Sequence, residues 1–226
     1  MQLKSIYQNY LSSSGISTDT RSLKKGELFF ALHGEKFNGN KFAKKAISKG
    51  AIKVIVDDQN IALLGTKVIV VKNALKTLQK LANFHRTKLK TPIIAITGSN
   101  GKTSTKELVR EVLSQKYSIL ATEGNLNNHI GVPLTLLKLK EHHQLAIIEM
   151  GANHLKEIEL LCNITQPNWG YITNFGKSHL EGFGSIQGVV KGKSELYEYL
   201  IHQKQKILIN GDDYKQINLT KKYPIT

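Results

Sequence analysis

Apolar residues fall along this chain in two rhythms: short β-branched runs, and longer stretches where they recur every three or four positions. In the first ninety residues, positions 27–32 (ELFFAL), 52–56 (IKVIV) and 67–71 (KVIVV) have the strand pattern, and 16–20 a shorter version of it. Positions 40–49 predict a helix with Phe42, Ala43, Ala46 and Ile47 available for its apolar side. Asn73 predicts the cap of another helix, running to about Lys90, with Leu75, Leu78 and Ala82 on one face. Thr91-Pro92 closes that helix, and a domain boundary is expected there, between residues 1–90 and 91–226.

From Pro92 onward strands and helices alternate. Positions 93–96 (IIAI), 145–148 (LAII), 170–173 (GYIT) and 206–209 (KILI) are the strands. After the first, Leu108, Val109, Val112 and Leu113 recur at helical spacing. This alternation predicts an α/β architecture with a mostly parallel sheet covered by helices. In such sheets, ligands bind beyond the carboxyl ends of the strands. All four predicted ends carry polar or glycine residues: Thr97 to Thr103, Glu149 to His154, Asn174 to His179, and Asn210 to Asp213.

The first of these ends carries the clearest chemistry. Gly98, Ser99, Asn100, Gly101, Lys102, Thr103 and Ser104 join a buried strand to an amphipathic helix. Glycines allow backbone N–H groups close to an anion, and a helix start has unpaired N–H groups. Lys102 would reach terminal phosphates and Thr103 would ligate Mg²⁺. The common spacing G-x-x-x-x-G-K-[ST] is not met, because Ile96 stands where its first glycine belongs. Glu149 follows an uninterrupted apolar run, where a carboxylate is costly unless paired, and Mg²⁺ beside a nucleotide is its expected partner. His179 lies just past a predicted strand end and is read either as a functional or as a structural histidine. The polar loop from Asn125 to His129 either binds a polar ligand or forms side-chain-capped turns.

Composition narrows the partners. The 226 residues are 40% apolar, enough for real cores, and no stretch approaches the roughly 20 apolar residues of a membrane span. The first ten residues show no apolar signal core, so a cytoplasmic location is expected. Cys162 is the one cysteine and is read as a buried small side chain. The net charge of +15 is uneven: residues 1–90 hold 17 basic and 5 acidic side chains, a balance of +12, leaving +3 for the rest. Lysines 36, 41, 44, 45, 49 and 53 lack interleaved aromatic side chains, so we read them as solvated and expect no nucleic-acid partner. Arginine is scarce, which singles out Arg21, Arg86 and Arg110.

The segments TGSNGKTSTKE, GNLNNHIGVPLTLL, IIEMGANHLKEI, SHLEGFGS and KGKSELY occur in that order and closely resemble the Mur ligases of peptidoglycan synthesis. STDTRSLKKGELFFALHGEKFNGNKFAKKAISKGA is similar to the family's UDP-binding domain. The resemblance implies a small N-terminal α/β UDP-binding domain followed by a phosphate-loop ATPase domain. It also accounts for the loop spacing, since the family uses the shorter T-G-[ST]-x-G-K-[ST]. Position by position, it implies phosphate binding by Lys102 and a metal site of Thr103, Glu149 and His179. Lys193 matches a lysine that is carbamylated in several members, with Lys191 a nearby rival. Asn210 joins the nucleotide contacts. Thr20, Arg21, Gly34 and Asn38 fall on the uridine-nucleotide motifs, and Asn127 and Asn128 on the substrate loop. His129 departs from the acid found there in many relatives.

The implied activity is ATP- and Mg²⁺-dependent joining of D-alanyl-D-alanine to UDP-N-acetylmuramoyl-tripeptide by a monomer, through an acyl phosphate. The alternatives are a family member adding a single amino acid, or a non-catalytic nucleotide- or nucleic-acid-binding module. The family has three domains, and this chain ends before the second should finish. A fragment lacking the C-terminal domain, with little or no ligase activity alone, is therefore expected.

Overall fold

The structure is a computed structural model and describes residues 2–35, 37–176, 180–221 and 223. The chain divides into two compact units, one through His85 and the other from Arg86.

The first unit runs α1 (Gln2–Leu11), β1 (Ile16–Ser17), β2 (Leu28–Phe30), the short pair β3 (His33–Gly34) and β4 (Phe37–Asn38), α2 (Ala43–Ser48), β5 (Lys53–Val56) and β6 (Val68–Val70). The next helix, α3 (Ala74–Leu89), contains the division between the units. Among the described residues, β1-β2-β5-β6 form a parallel sheet in that order. Phe29, Ala31, Val54 and Val56 pack with Ala43, Ala46 and Ala51 in its core. Parallel strands buried on both faces need such continuous apolar runs, which is why they were legible. Asn73 caps α3 as expected, its Oδ1 accepting from Lys76 N at 2.7 Å.

Two differences from the sequence reading stand out here. Helix α1 was not anticipated, although Ile6, Tyr7 and Tyr10 recur at helical spacing and are buried. The Tyr7 and Tyr10 hydroxyls lie 3.1 and 3.2 Å from the two ring nitrogens of His85. The helix expected over 40–49 opens instead as a 3-10 turn, Gly39–Phe42, because Asn38 Oδ1 captures Asn40 N at 2.9 Å.

The second unit runs β7 (Ile93–Thr97), α4 (Lys102–Ser114), β8 (Ile119–Ala121), α5 (Gly131–Leu136), β9 (Leu145–Glu149), α6 (Glu157–Thr165), β10 (Trp169–Ile172), α7 (Leu180–Phe183), α8 (Ile186–His202), β11 (Lys206–Leu208) and α9 (Tyr214–Thr220). The strands pair in parallel in the order β11-β10-β7-β9-β8. The chain winds from β7 toward β8 on one side and later toward β11 on the other. The order therefore reverses beside β7, where an open parallel sheet leaves a crevice.

Strand β8 was missed by periodicity; three residues at a sheet edge give almost no pattern. The apolar face read for α4 is also corrected. Leu108 and Val112 are 69% and 70% exposed, whereas Lys106 is fully buried. Lys106 Nζ donates to the Thr122 carbonyl at 2.5 Å and pairs with Glu107 at 2.9 Å, so hydrogen bonding replaces apolar burial on the inner side. No helix of the described residues is long and apolar enough to cross a membrane.

Candidate phosphate-loop site

Strand β7 ends at Thr97, whose hydroxyl donates to the Met150 carbonyl at 2.8 Å. That bond aligns the ends of β7 and β9. The loop Gly98–Gly101 then turns into α4. Gly98 has φ +142° and lies so close to Thr173 that a Cβ there would stand 2.0 Å from its Oγ1. Gly101 has φ +74°, a left-handed conformation, with open space where a side chain would be. Among the described residues, the N–H groups of Gly101, Lys102, Thr103 and Ser104 have no acceptor, as the first turn of a helix requires. Lys102 Nζ folds over the loop and donates to the Gly98 and Ser99 carbonyls at 2.9 and 3.2 Å. Burial pushes its pKa below the usual lysine value, partly offset by the Glu149 carboxylate.

Glu149, the last residue of β9, is 1% exposed. Its Oε2 accepts from Thr103 Oγ1 at 2.9 Å and its Oε1 from Asn127 Nδ2 at 2.8 Å. Its backbone N donates to Thr122 Oγ1, which ties it to the end of β8. Three segments therefore converge on one carboxylate. Both side-chain donors are neutral, so the buried charge lacks a hydrogen-bonded counter-ion among the described residues. That donor set, a hydroxyl and a carboxylate, fits a hard divalent cation that takes oxygen ligands.

Lys193 on α8 is fully buried and donates to the Ala152 carbonyl at 3.1 Å, in the turn just after β9. Burial, with the Lys102 charge adding to it, brings its pKa down to about 8. Its rival Lys191 is exposed. Asn128 has a local part: its Oδ1 accepts from Ile130 N and Gly131 N at 3.0 and 2.9 Å, capping α5. A cavity of about 390 Å³ is lined by Lys102, Asn127, Asn128, His129, Asn153 and Glu157, among others. A second, of about 660 Å³, is lined by Asn100, Asn174, Phe175, Asn210, Asp212 and Asp213, among others. His179 lies outside the described residues.

The residues matched to uridine binding sit in the first unit. Thr20 is buried, and its carbonyl accepts from Lys49 Nζ at 2.7 Å. Arg21 is exposed and pairs with Asp19 at 2.6 Å. Gly34 is exposed with open space at its Cα, and Asn38 caps the following turn.

Sequence reasoning missed two positions that shape this site. Lys106 had a signal, a charge one turn beyond Thr103 on what would be the inner face. Asn174 was noted only as lying past a strand end, yet its side chain holds the phosphate loop from below.

A parallel sheet whose central strand runs through a glycine-lysine-threonine turn into a helix, with a carboxylate at the end of the adjacent strand, defines the phosphate-loop α/β class. Comparison with known proteins narrows this further. The family described as Mur ligase middle domain matches residues 96–225, and the Mur ligase family catalytic domain matches residues 12–87. The chain belongs to the Mur ligase family.

Among curated relatives, the UDP-N-acetylmuramoyl-tripeptide–D-alanyl-D-alanine ligase of Haemophilus influenzae is 39% identical over 226 residues, covering 98% of this chain and 49% of that protein. The Escherichia coli protein of the same name is 39% identical over 208 residues, covering 92% and 45%. Among solved structures, MurF from Acinetobacter baumannii superposes with a TM-score of 0.85 at 32% identity, over 97% of this chain and 50% of that one. Thermotoga maritima MurF ligase in complex with ADP gives 0.83 at 27% identity, over 95% and 49%. The chain thus spans about half the length of the curated relatives it matches.

Proposed function

We propose that this chain carries the UDP-substrate-binding and ATP-binding parts of a ligase that joins D-alanyl-D-alanine to UDP-N-acetylmuramoyl-tripeptide in the cytoplasm. The observation that carries the reading is the meeting of Thr103, Asn127 and Glu149 beside the phosphate loop. The names of the relatives support the choice of substrates. The relative solved with ADP supports ATP as the phosphoryl donor.

In this reading, the γ-phosphoryl group of ATP passes to the terminal carboxylate of the tripeptide, and ADP leaves. The amine of D-alanyl-D-alanine then attacks the acyl phosphate carbonyl. The amide forms, and phosphate and a proton are released. This chain's part is positioning and charge neutralisation. Lys102 leaves the Gly98 and Ser99 carbonyls for the terminal phosphates, and the open N–H groups from Gly101 to Ser104 cradle them. Asn127 holds the Glu149 carboxylate toward Thr103. Mg²⁺, held by Thr103, Glu149, His179 and a carbamylated Lys193, would supply the charge that offsets the phosphate oxygens. The buried Lys193 suits that modification, because a depressed pKa supplies the neutral amine that reacts with CO₂. Asn210 in the larger cavity serves the nucleoside end of ATP. Thr20, Arg21, Gly34 and Asn38 serve the uridine diphosphate. Arg21 must then exchange Asp19 for phosphate.

Calorimetric titration of the 226-residue chain tests the binding half of this proposal. We expect separate saturable binding of Mg²⁺-ATP and of UDP-N-acetylmuramoyl-tripeptide. Absence of ATP binding, or equal affinity for unrelated UDP-sugars, would overturn it. The acceptor is tested with a protein of the relatives' full length, offered D-alanyl-D-alanine and single amino acids in parallel.

A further inference from the structure

The loop after β10 grips the phosphate loop with an unusual density of hydrogen bonds. Asn174 Oδ1 accepts from Asn100 N at 3.2 Å, while Asn174 Nδ2 donates to Asn100 O at 3.0 Å. One side-chain amide thus pairs with both the N–H and the C=O of one residue, which belong to successive peptide units, as a neighbouring strand would. Thr173 Oγ1 donates to the same Asn100 carbonyl at 2.6 Å. Ser99 N donates to the Asn174 carbonyl at 3.1 Å, and Ser99 Oγ to the Gly176 carbonyl at 2.9 Å.

This pinning has a directional consequence. The N–H groups of Ser99 and Asn100 are spent on the β10 side, so the loop offers an anion the set from Gly101 to Ser104. A free Asn100–Gly101 peptide could rotate and place the Asn100 carbonyl toward the phosphates, where it would repel them. Asn174 also lines the larger cavity together with Asn100 and Asn210. It therefore stands between the loop and the space assigned to the nucleoside.

We propose that Asn174 is a positioning residue for nucleotide binding: it holds the Asn100 carbonyl on the β10 side, so that the turn into α4 presents the N–H groups from Gly101 to Ser104 to the phosphate chain. This rests on the reading of the loop as the ATP site. The effect concentrates on the phosphates. Asn174→Ala releases the Asn100 N–H and leaves the Asn100 carbonyl held by Thr173 Oγ1 alone. Asn174→Asp keeps an acceptor for Asn100 N–H but sets a carboxylate oxygen against the Asn100 carbonyl, so it repels the orientation that the wild type holds.

The test is calorimetric titration of the 226-residue chain and both variants with Mg²⁺-ATP and with AMP, alongside amide hydrogen exchange. We expect each variant to bind ATP about tenfold or more weakly, and AMP within about twofold of wild type. The Asn100 amide is protected in the free wild type and exchanges faster in Asn174→Ala, with unchanged protection in β7 and β9. A merely structural residue would lower AMP and ATP affinity together. If either folded variant binds ATP as wild type does, or if the wild-type Asn100 amide is unprotected, the proposal fails. If the wild type binds no ATP, the underlying reading of the loop fails, and this proposal with it.

Discussion

Thr103 Oγ1 donates to Glu149 Oε2 at 2.9 Å across 46 positions of sequence. The second residue of α4 and the last residue of β9 thereby share one polar contact at the carboxyl ends of the strands. The Glu149 carboxylate is held by a hydroxyl and an amide, neither of which cancels its charge.

Replacing Glu149 by Gln should therefore separate stability from metal dependence. The variant keeps the shape and can accept from Asn127 Nδ2 on its one oxygen while its NH2 donates to the Thr103 hydroxyl, so its unfolding free energy should stay within about 1 kcal/mol of wild type without metal. ATP affinity without Mg²⁺ should hold, while the gain conferred by Mg²⁺ should fall by about tenfold or more. Titrations with and without Mg²⁺ check this.

A second prediction concerns Asp57, at the end of β5. Its carboxylate accepts from Ala74 N at 3.0 Å, Asn40 Nδ2 at 2.9 Å and lies 3.1 Å from His33 Nδ1. Burial pushes its pKa up, but the Ala74 and Asn40 hydrogen bonds and His33 outweigh that and leave it lowered. A lowered carboxyl pKa stabilises the fold above the unfolded value of about 3.9 and loses that contribution as pH falls through the folded value. Asp57→Asn should cost about 1–3 kcal/mol near neutral pH. The gap from wild type should narrow below about pH 4, measured by urea unfolding across pH.

Arg86 gives a third. Its guanidinium donates to the Thr165 and Gln166 carbonyls and to Asn168 Oδ1, at 3.0 to 3.1 Å. These acceptors lie at or just beyond the C-terminus of α6, where a cation complements the helix dipole. Arg86→Ala should destabilise by about 3 kcal/mol, because buried acceptors lose a charged donor. Chemical denaturation followed at Trp169, which lies three residues past Gln166, checks it.

Lys193 and Lys191 give a fourth. With ¹³C-labelled bicarbonate, the chain should show a carbamate carbon resonance. Lys193→Arg should abolish it and Lys191→Arg should leave it, because Lys193 is buried with a depressed pKa whereas Lys191 is exposed.

The amino-acid sequence by itself determined the parallel-sheet architecture and the glycine-lysine-threonine turn between strand and helix. Buried parallel strands write continuous apolar runs, and the Gly98 and Gly101 turn needs residue types that few other structures demand. It also brought out Glu149, since a carboxylate ending the run LAII has few innocent explanations. Short or half-polar elements escaped it: β8 has three residues, and α4 turns Lys106 inward while Leu108 and Val112 face out. Only the tertiary structure decided which side chains meet. Asn127 reaches Glu149 across 22 positions, and Asn174 reaches Asn100 across 74. Such contacts depend on the winding order of the strands, which local periodicity does not encode. The same holds for Lys193 over Lys191: two positions on one helix differ by a rotation of about 200°, and only packing says which of them points inward.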